Sequence, residues 1–310
     1  MEFKEQVYFV MPAVFNDDLL YDPGKTMYGI IKNYLPENVG IKVYGIPGTC
    51  SWNGGRLMIK EMHTIEKIEG YFASLIFNFG IDIQLTMTNS LLKKEDTYDR
   101  YGNALLGLAE KYCNNVEVLV SSPILEEYIR EKYPKIRIAR SITNLVHPTE
   151  EDCERYSTVV LPFSKNEDFE YIKRLAKTGV ELEMSITEGC LRDCPFRSEH
   201  YKITDMNQLY ECKGNQPECL ATRPTFPTDK ELLPKYAAMG VRNFKIIDRC
   251  HLGTAIENIV DYLIDDNDKR TIRNNLYLSL KDELAWGNQD FYTGNFTMLV
   301  DLAKALQQYK

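Results

Sequence analysis

Four of the chain's eight cysteines stand in one stretch, with the spacing Cys190-x3-Cys194-x17-Cys212-x6-Cys219. Thiolates are soft ligands that take zinc or iron-sulfur clusters, and in a reducing compartment such a group is more often a metal site than a pair of disulfides. Zinc sites usually present their cysteines as tight Cys-x2-Cys pairs, whereas these gaps are wide and irregular. A 4Fe-4S cluster takes four thiolates and tolerates that spacing, so it is the leading expectation; zinc and unmetallated thiols stay open. The radical-SAM pattern would need a cysteine at the position of Arg197 and is set aside. Cys50 is the alternative fourth ligand, while Cys113 and Cys153 read as packed side chains.

The elements that must position these thiols follow from periodicity. Strands are expected at residues 7–14, 40–46, 82–88, 116–121, 136–142, 158–162, 180–186 and 243–247, alternating with amphipathic helices. In the helix over 64–79, Ile65, Ile68, Phe72, Leu75, Ile76 and Phe79 recur at three- and four-residue spacing on one face. Thr228-x-x-Glu231 and Thr254-x-x-Glu257 have the pattern of helix-opening capping boxes. Eight β/α units within about 260 residues match a TIM-type (β/α)8 barrel, an α/β fold, with the barrel at 1–265 and a C-terminal helical extension at 266–310. The cysteine run occupies a long loop, 188–228, after strand seven, far longer than the roughly two to six residues usual there.

In such a barrel the chemistry sits at the C-terminal ends of the strands. Candidates there are Lys245, Arg249 and His251 as catalytic groups, with Asn89, Asn144 and Trp52 on the substrate side. Lys245, Ile247 and Arg249 share one face of strand eight, and a Lys245 inside the barrel needs a carboxylate such as Glu181 or Glu183 from strand seven. A structural ion pair is the plainer role for that lysine. His147, His200 and His251 are possible proton donors. No Ser/His/Asp set at a recognisable spacing, no His-Glu-x-x-His and no phosphate-cradling glycine loop occurs.

The formal net charge of -8 over 310 residues argues against direct nucleic-acid binding, which needs clustered Lys and Arg. With 44% hydrophobic and 26% charged residues the composition is that of a globular protein. There is neither a basic, apolar leader nor an apolar run of about 20 residues, so a cytoplasmic location without a membrane span is expected.

Three passages resemble the collagenase-like peptidase family, the unclassified peptidase family thirty-two, which includes tRNA and ubiquinone hydroxylation proteins. They are Arg140-Ser141-Ile142-Thr143-Asn144, Glu188-Gly189-Cys190-Leu191, and the segment from Gly240 through Lys245-Ile246-Ile247-Asp248-Arg249. The resemblance implies a barrel holding a four-cysteine 4Fe-4S cluster and, in some members, oxygen-independent hydroxylation of a small-molecule or nucleobase substrate. It also implies that Cys190, Cys212 and Cys219 are ligands. Where the family has another cysteine shortly before the Gly-x-Cys segment, this chain has Ser185 and Thr187, and Cys194 is the expected replacement. A paralogous subunit or electron donor is the expected partner; a cluster-bearing subunit that presents substrate to another enzyme is the alternative to a self-sufficient one, and a collagenase-like peptidase is the second alternative.

Overall fold

The computed structural model describes residues 2–12, 29, 31–46, 50–53, 64–188, 194–205, 228–247 and, further on, 260, 262, 264, 267–272 and 274–275. Eight strands run parallel in sequence order and close on themselves: β1 (Val7–Pro12), β2 (Val39–Gly45), β3 (Asp82–Met87), β4 (Val116–Val120), β5 (Arg137–Arg140), β6 (Thr158–Val160), β7 (Glu181–Ser185) and β8 (Val241–Lys245). Closure comes from β8 pairing β1, with Phe244 opposite Phe9. This is the expected (β/α)8 barrel.

Among the described residues, the α-helices with defined bounds between the strands are α1 (Ile65–Ala73), α2 (Arg100–Lys111), α3 (Pro123–Lys132), α4 (Glu150–Arg155), α5 (Phe169–Ala176), α6 (Arg197–Asp205) and α7 (Leu233–Met239). Their starts are set by side chains that satisfy otherwise orphaned N–H groups. Thr64 caps α1, Asp99 caps α2, Ser122 caps α3 with Pro123 in its first turn, and Thr149 and Asp152 form a capping box at α4. The helix expected over 64–79 is α1 extended by one π turn, Ser74–Asn78, and it buries Ile68, Phe72, Leu75 and Ile76 as its periodicity requires. At the start of α7 the expected capping box is not formed: Asp229 caps a 3-10 turn, Lys230–Leu232, and Pro234 opens the helix. The Thr254 box lies outside the described residues.

Strand eight begins two residues earlier than expected. Gly240, at φ 114°, ends α7 in the left-handed region that glycine tolerates, and the chain enters the sheet at once. A register shift opposite Leu182 and Glu183 leaves Arg242 as the extra residue of β8. Without it, period-2 alternation would put Val241 and Asn243 on one face; the irregularity lets Val241 join the outer core while Asn243 and Lys245 point into the barrel.

Alternation divides the remaining strand residues in the same way. Ile41, Val43, Ile83, Leu85, Val118, Val159, Leu182, Met184 and Phe244 belong to the large core against the helices. Leu119, Ala139 and Val160 form a separate small cluster one step along from the luminal Glu117 and Thr158. Among the described residues no helix is long and apolar enough to cross a membrane.

Candidate site at the barrel mouth

Inside the barrel, side chains from six strands form one hydrogen-bonded layer. Lys42 Nζ donates to Glu117 at 2.9 Å and to Asn243 Oδ1 at 3.1 Å. Gln84 Nε2 donates to both Glu117 at 3.0 Å and Glu183 at 2.7 Å, and Thr158 adds a hydroxyl to Glu117 at 2.9 Å. Lys245 Nζ closes the layer with Glu183 at 2.6 Å and Gln84 Oε1 at 2.9 Å, and it lies 4.3 Å from the centroid of the Tyr44 ring. Two lysines and two glutamates cancel, which is how four ionisable groups are held in so enclosed a space.

Burial alone would push the Glu117 carboxyl up, but the Lys42 ammonium, its hydrogen bond and Arg137 outweigh it and hold the group at about 2. Lys42 is raised: burial works against its charge, and the attraction of Glu117 overcomes that. The carboxylate partner expected for Lys245 is Glu183. Lys42, Gln84, Glu117 and Asn243 were not anticipated, although a single polar residue in the middle of an apolar strand, as in VGIKVYG and VEVLV, is the signal they leave.

At the strand ends above this layer the chain makes its long excursion. Thr187 takes the Ile247 N–H on its hydroxyl at 2.9 Å, and the Thr228 N–H bonds the Ile186 carbonyl at 2.8 Å. The Tyr262 hydroxyl donates to Thr228 O at 2.6 Å and buttresses the junction. The excursion therefore leaves and re-enters at one point, and all four clustered cysteines lie between its two ends.

Within it, α6 runs from β7 towards the opposite wall. Arg197, at its start, pairs with Glu188 at 3.2 Å, and Asp205, at its end, accepts from the N–H and hydroxyl of Ser90, after β3, at 3.0 and 2.6 Å. Strands three and seven are four apart in a ring of eight, so this helix of nine residues, roughly 13 Å long, crosses the mouth. Beside it lies a cavity of about 120 Å³ bordered by His147, Ser185, Glu188, Arg197, Tyr201 and Ile247.

Of the expected metal ligands, Cys194 sits just before α6, half-buried and unbridged, its carbonyl accepting from the Arg197 N–H at 3.2 Å. Cys190, Cys212 and Cys219, like Arg249, Cys250 and His251, lie outside the described residues. Cys50 is 2% exposed; burial, reinforced by the nearby Asp99 charge, pushes its thiol up to about 12.

Trp52 is fully buried, its indole N–H donating to Asp96 O at 2.7 Å, so the ring packs instead of lying open for stacking. Asn89 uses its amide to hold the loops together, donating to Ser51 O at 2.8 Å and accepting from the Leu91 N–H at 2.9 Å. Asn144 closes a local turn through the Val146 N–H at 3.1 Å. Arg140, in one of the passages that carry the family resemblance, pairs with Asp152 at 3.3 Å and donates to Val146 O at 3.0 Å, fixing the same loop. Sequence reasoning passed over the Glu188–Arg197 pair, because the partners stand nine positions apart with no helical or strand period linking them.

No family model and no curated protein matches the chain. Among solved structures it is similar to the U32 peptidase Mk0906, at 15% identity and a TM-score of 0.46 over 79% of this chain and 93% of that one. It is also similar to a complex of a GH113 β-1,4-mannanase, at 11% identity and a TM-score of 0.40 over 89% of this chain and 99% of that one.

Proposed function

We propose that the chain is an iron-sulfur barrel protein acting in a redox or oxygen-independent hydroxylation step on a small-molecule or nucleobase substrate bound at the mouth. The observation that supports this reading is that Cys190, Cys194, Cys212 and Cys219 all belong, in sequence, to the one excursion whose ends meet at the Ile186–Thr228 junction. Four soft donors carried by one such segment suit a 4Fe-4S cluster, with zinc as the alternative. When bound, such a cluster supplies one-electron chemistry.

The rest falls to the chain's own residues. The bar formed by α6 restricts access of water to the mouth, the Glu188–Arg197 pair presents charge to the cavity, and the neutral Lys42/Glu117/Glu183/Lys245 layer closes the barrel beneath. Iron and sulfide analysis of anaerobically purified protein, with its electron paramagnetic resonance spectrum, tests the proposal. Stoichiometric iron and visible absorption that Cys190→Ser and Cys212→Ser both abolish are expected. Colourless, iron-free protein would overturn it.

A second reading, a cluster-bearing subunit that presents substrate to another enzyme, is favoured by Leu91, Tyr98, Ile124, Val146 and Phe196. These large apolar side chains are exposed, and all five follow strands on the mouth side. Co-expression with neighbouring chains separates the two: an obligate subunit elutes with its partner in size exclusion, and a self-sufficient enzyme elutes alone.

A further inference from the structure

Gln84 and Glu183 join opposite walls of the barrel through long side chains that bond at 2.7 Å. Two residues further along the same strands, and so on the same inward faces, stand Thr86 and Ser185. These side chains end one atom beyond Cβ, so they cannot meet across the width that the longer pair spans. Ser185 accordingly borders the cavity beside α6, although it is only 5% exposed.

Neither hydroxyl is used within the described part of the fold. Thr86 Oγ1 is buried without a hydrogen-bond partner, and Ser185, whose carbonyl accepts from Asn166 Nδ2 at 2.7 Å, makes no bond through its hydroxyl among the described residues. Ser121 and Ser141, inward by the same alternation, bond to Thr143 instead. A buried hydroxyl left alone is costly, so the facing pair calls for a hydrogen-bonding guest. The inserted end of that guest is uncharged: Lys42 and Lys245 beneath it are matched by Glu117 and Glu183, which leaves no counter-ion for either sign. The ionisable residues that border the cavity, His147, Glu188, Arg197 and Tyr201, belong to the loops and α6 beyond the strand ends.

We propose that the lumen above the charged layer binds the neutral amide end of a small ligand. Each hydroxyl can donate and accept, so the amide C=O accepts from one and its N–H donates to the other, while a short apolar body lies against Ile142, Leu161 and Phe163. At about 120 Å³, against the roughly 150 Å³ that accommodates benzene, the cavity suits about half a dozen heavy atoms. The assignment rests on the mouth as the place where substrate binds and needs no cluster, since no cysteine is among the described residues that line the space.

Calorimetric titration of the full chain with isobutyramide tests it, beside isobutyrate and 3-methyl-2-butanone, which keep the shape but replace the amide nitrogen by a charged oxygen or a methyl group. Isobutyramide should bind saturably, and each analogue at least about tenfold more weakly. Ser185→Ala and Thr86→Val each remove one hydroxyl and should weaken binding about fivefold, with the melting temperature unchanged or raised because neither hydroxyl has a partner to lose. Equal binding of either analogue, undiminished binding in either variant, or no saturable binding of isobutyramide, as when the hydroxyls hold ordered water only, would overturn the assignment. Run on iron-loaded and iron-free protein, the titration separates the two readings: colourless protein that binds isobutyramide overturns the cluster reading alone, and iron-loaded protein that does not bind it overturns this assignment alone.

Discussion

The Lys245 ammonium stands 2.6 Å from the Glu183 carboxylate inside the barrel, with the glutamate fully buried. Neighbouring strands bring them together: Ser185 is paired with Lys245 in the β7–β8 register, and Glu183 lies two residues back on the same face. Replacing the lysine by methionine leaves that carboxylate without its cation, and removing one partner of a buried pair destabilises by about 3–5 kcal/mol. Chemical denaturation of Lys245→Met should show a loss of that order. The double variant Lys245→Met/Glu183→Gln, which removes both charges, should recover a substantial part of it. If the double variant were no more stable than the single one, the pair would not be coupled.

Acid should act through Glu117. Its carboxyl ordinarily titrates near 4.5 and is held at about 2 in the fold, so the stabilisation it gives is complete above about 4.5 and fades as pH falls towards 2. The shift corresponds to roughly 3 kcal/mol at most. Lys42 works at the other end: its raised value gives a contribution intact below 10.5 that is lost only in stronger alkali. Urea midpoints should stay flat near neutrality and drop below about pH 4.5. Glu117→Gln should be less stable throughout and lose most of that acid dependence.

A Cβ at Gly102 would lie 2.5 Å from the Trp52 ring, which is fully buried and cannot swing into solvent. Gly102→Ala should therefore destabilise by about 1–3 kcal/mol through overpacking, despite alanine's better helix propensity. Trp52→Leu in the same chain should relieve part of the strain, visible as a partial recovery of the melting temperature.

Thiol labelling should sort the cysteines. With its thiol at about 12, Cys50 has roughly three orders of magnitude less thiolate near neutrality than an ordinary cysteine, and it is shielded as well. Iodoacetamide applied to native, iron-free protein near pH 8 should modify the half-buried Cys194 and spare Cys50. Peptide mass mapping reads the result, and Cys50 should become reactive only on unfolding.

The junction that closes the excursion can be weakened without touching a cysteine. Tyr262→Phe removes the hydroxyl that donates to Thr228 O and should lower stability by about 0.5–1.5 kcal/mol. If the junction gathers the four thiols, the variant should also retain less iron under mild chelation than the parent chain. Unchanged retention would separate the junction from metal binding.

How much of this was legible beforehand depended on the range of the interactions. Strand positions and helix faces are local, and the three- and four-residue spacing of Ile68, Phe72, Leu75 and Ile76 marked the buried side of their helix, whereas the capping box read at Thr228 gave way to a cap by the adjacent Asp229. Lys245 and its carboxylate could be read from two adjacent strands. Lys42 and Glu117 could not, since they lie 75 residues apart and meet only when the barrel closes. Strand eight was placed late because the extra residue at Arg242 breaks the alternation on which such readings rest. Trp52 was read on the substrate side because its loop follows a strand, but Gly102, on a helix distant in sequence, offers the gap that encloses it.

Because the chain departs from Ile186 and rejoins at Thr228, and α6 within it is tied down at Ser90 through Asp205, the intervening piece behaves as a cassette clipped into a finished scaffold at two places. Its length places no demand on the spacing of β7 and β8, which are already paired residue to residue beneath it. The thiol-bearing insert is thus free to be lengthened, shortened or exchanged over evolutionary time, while the eight-stranded frame below keeps its alignment.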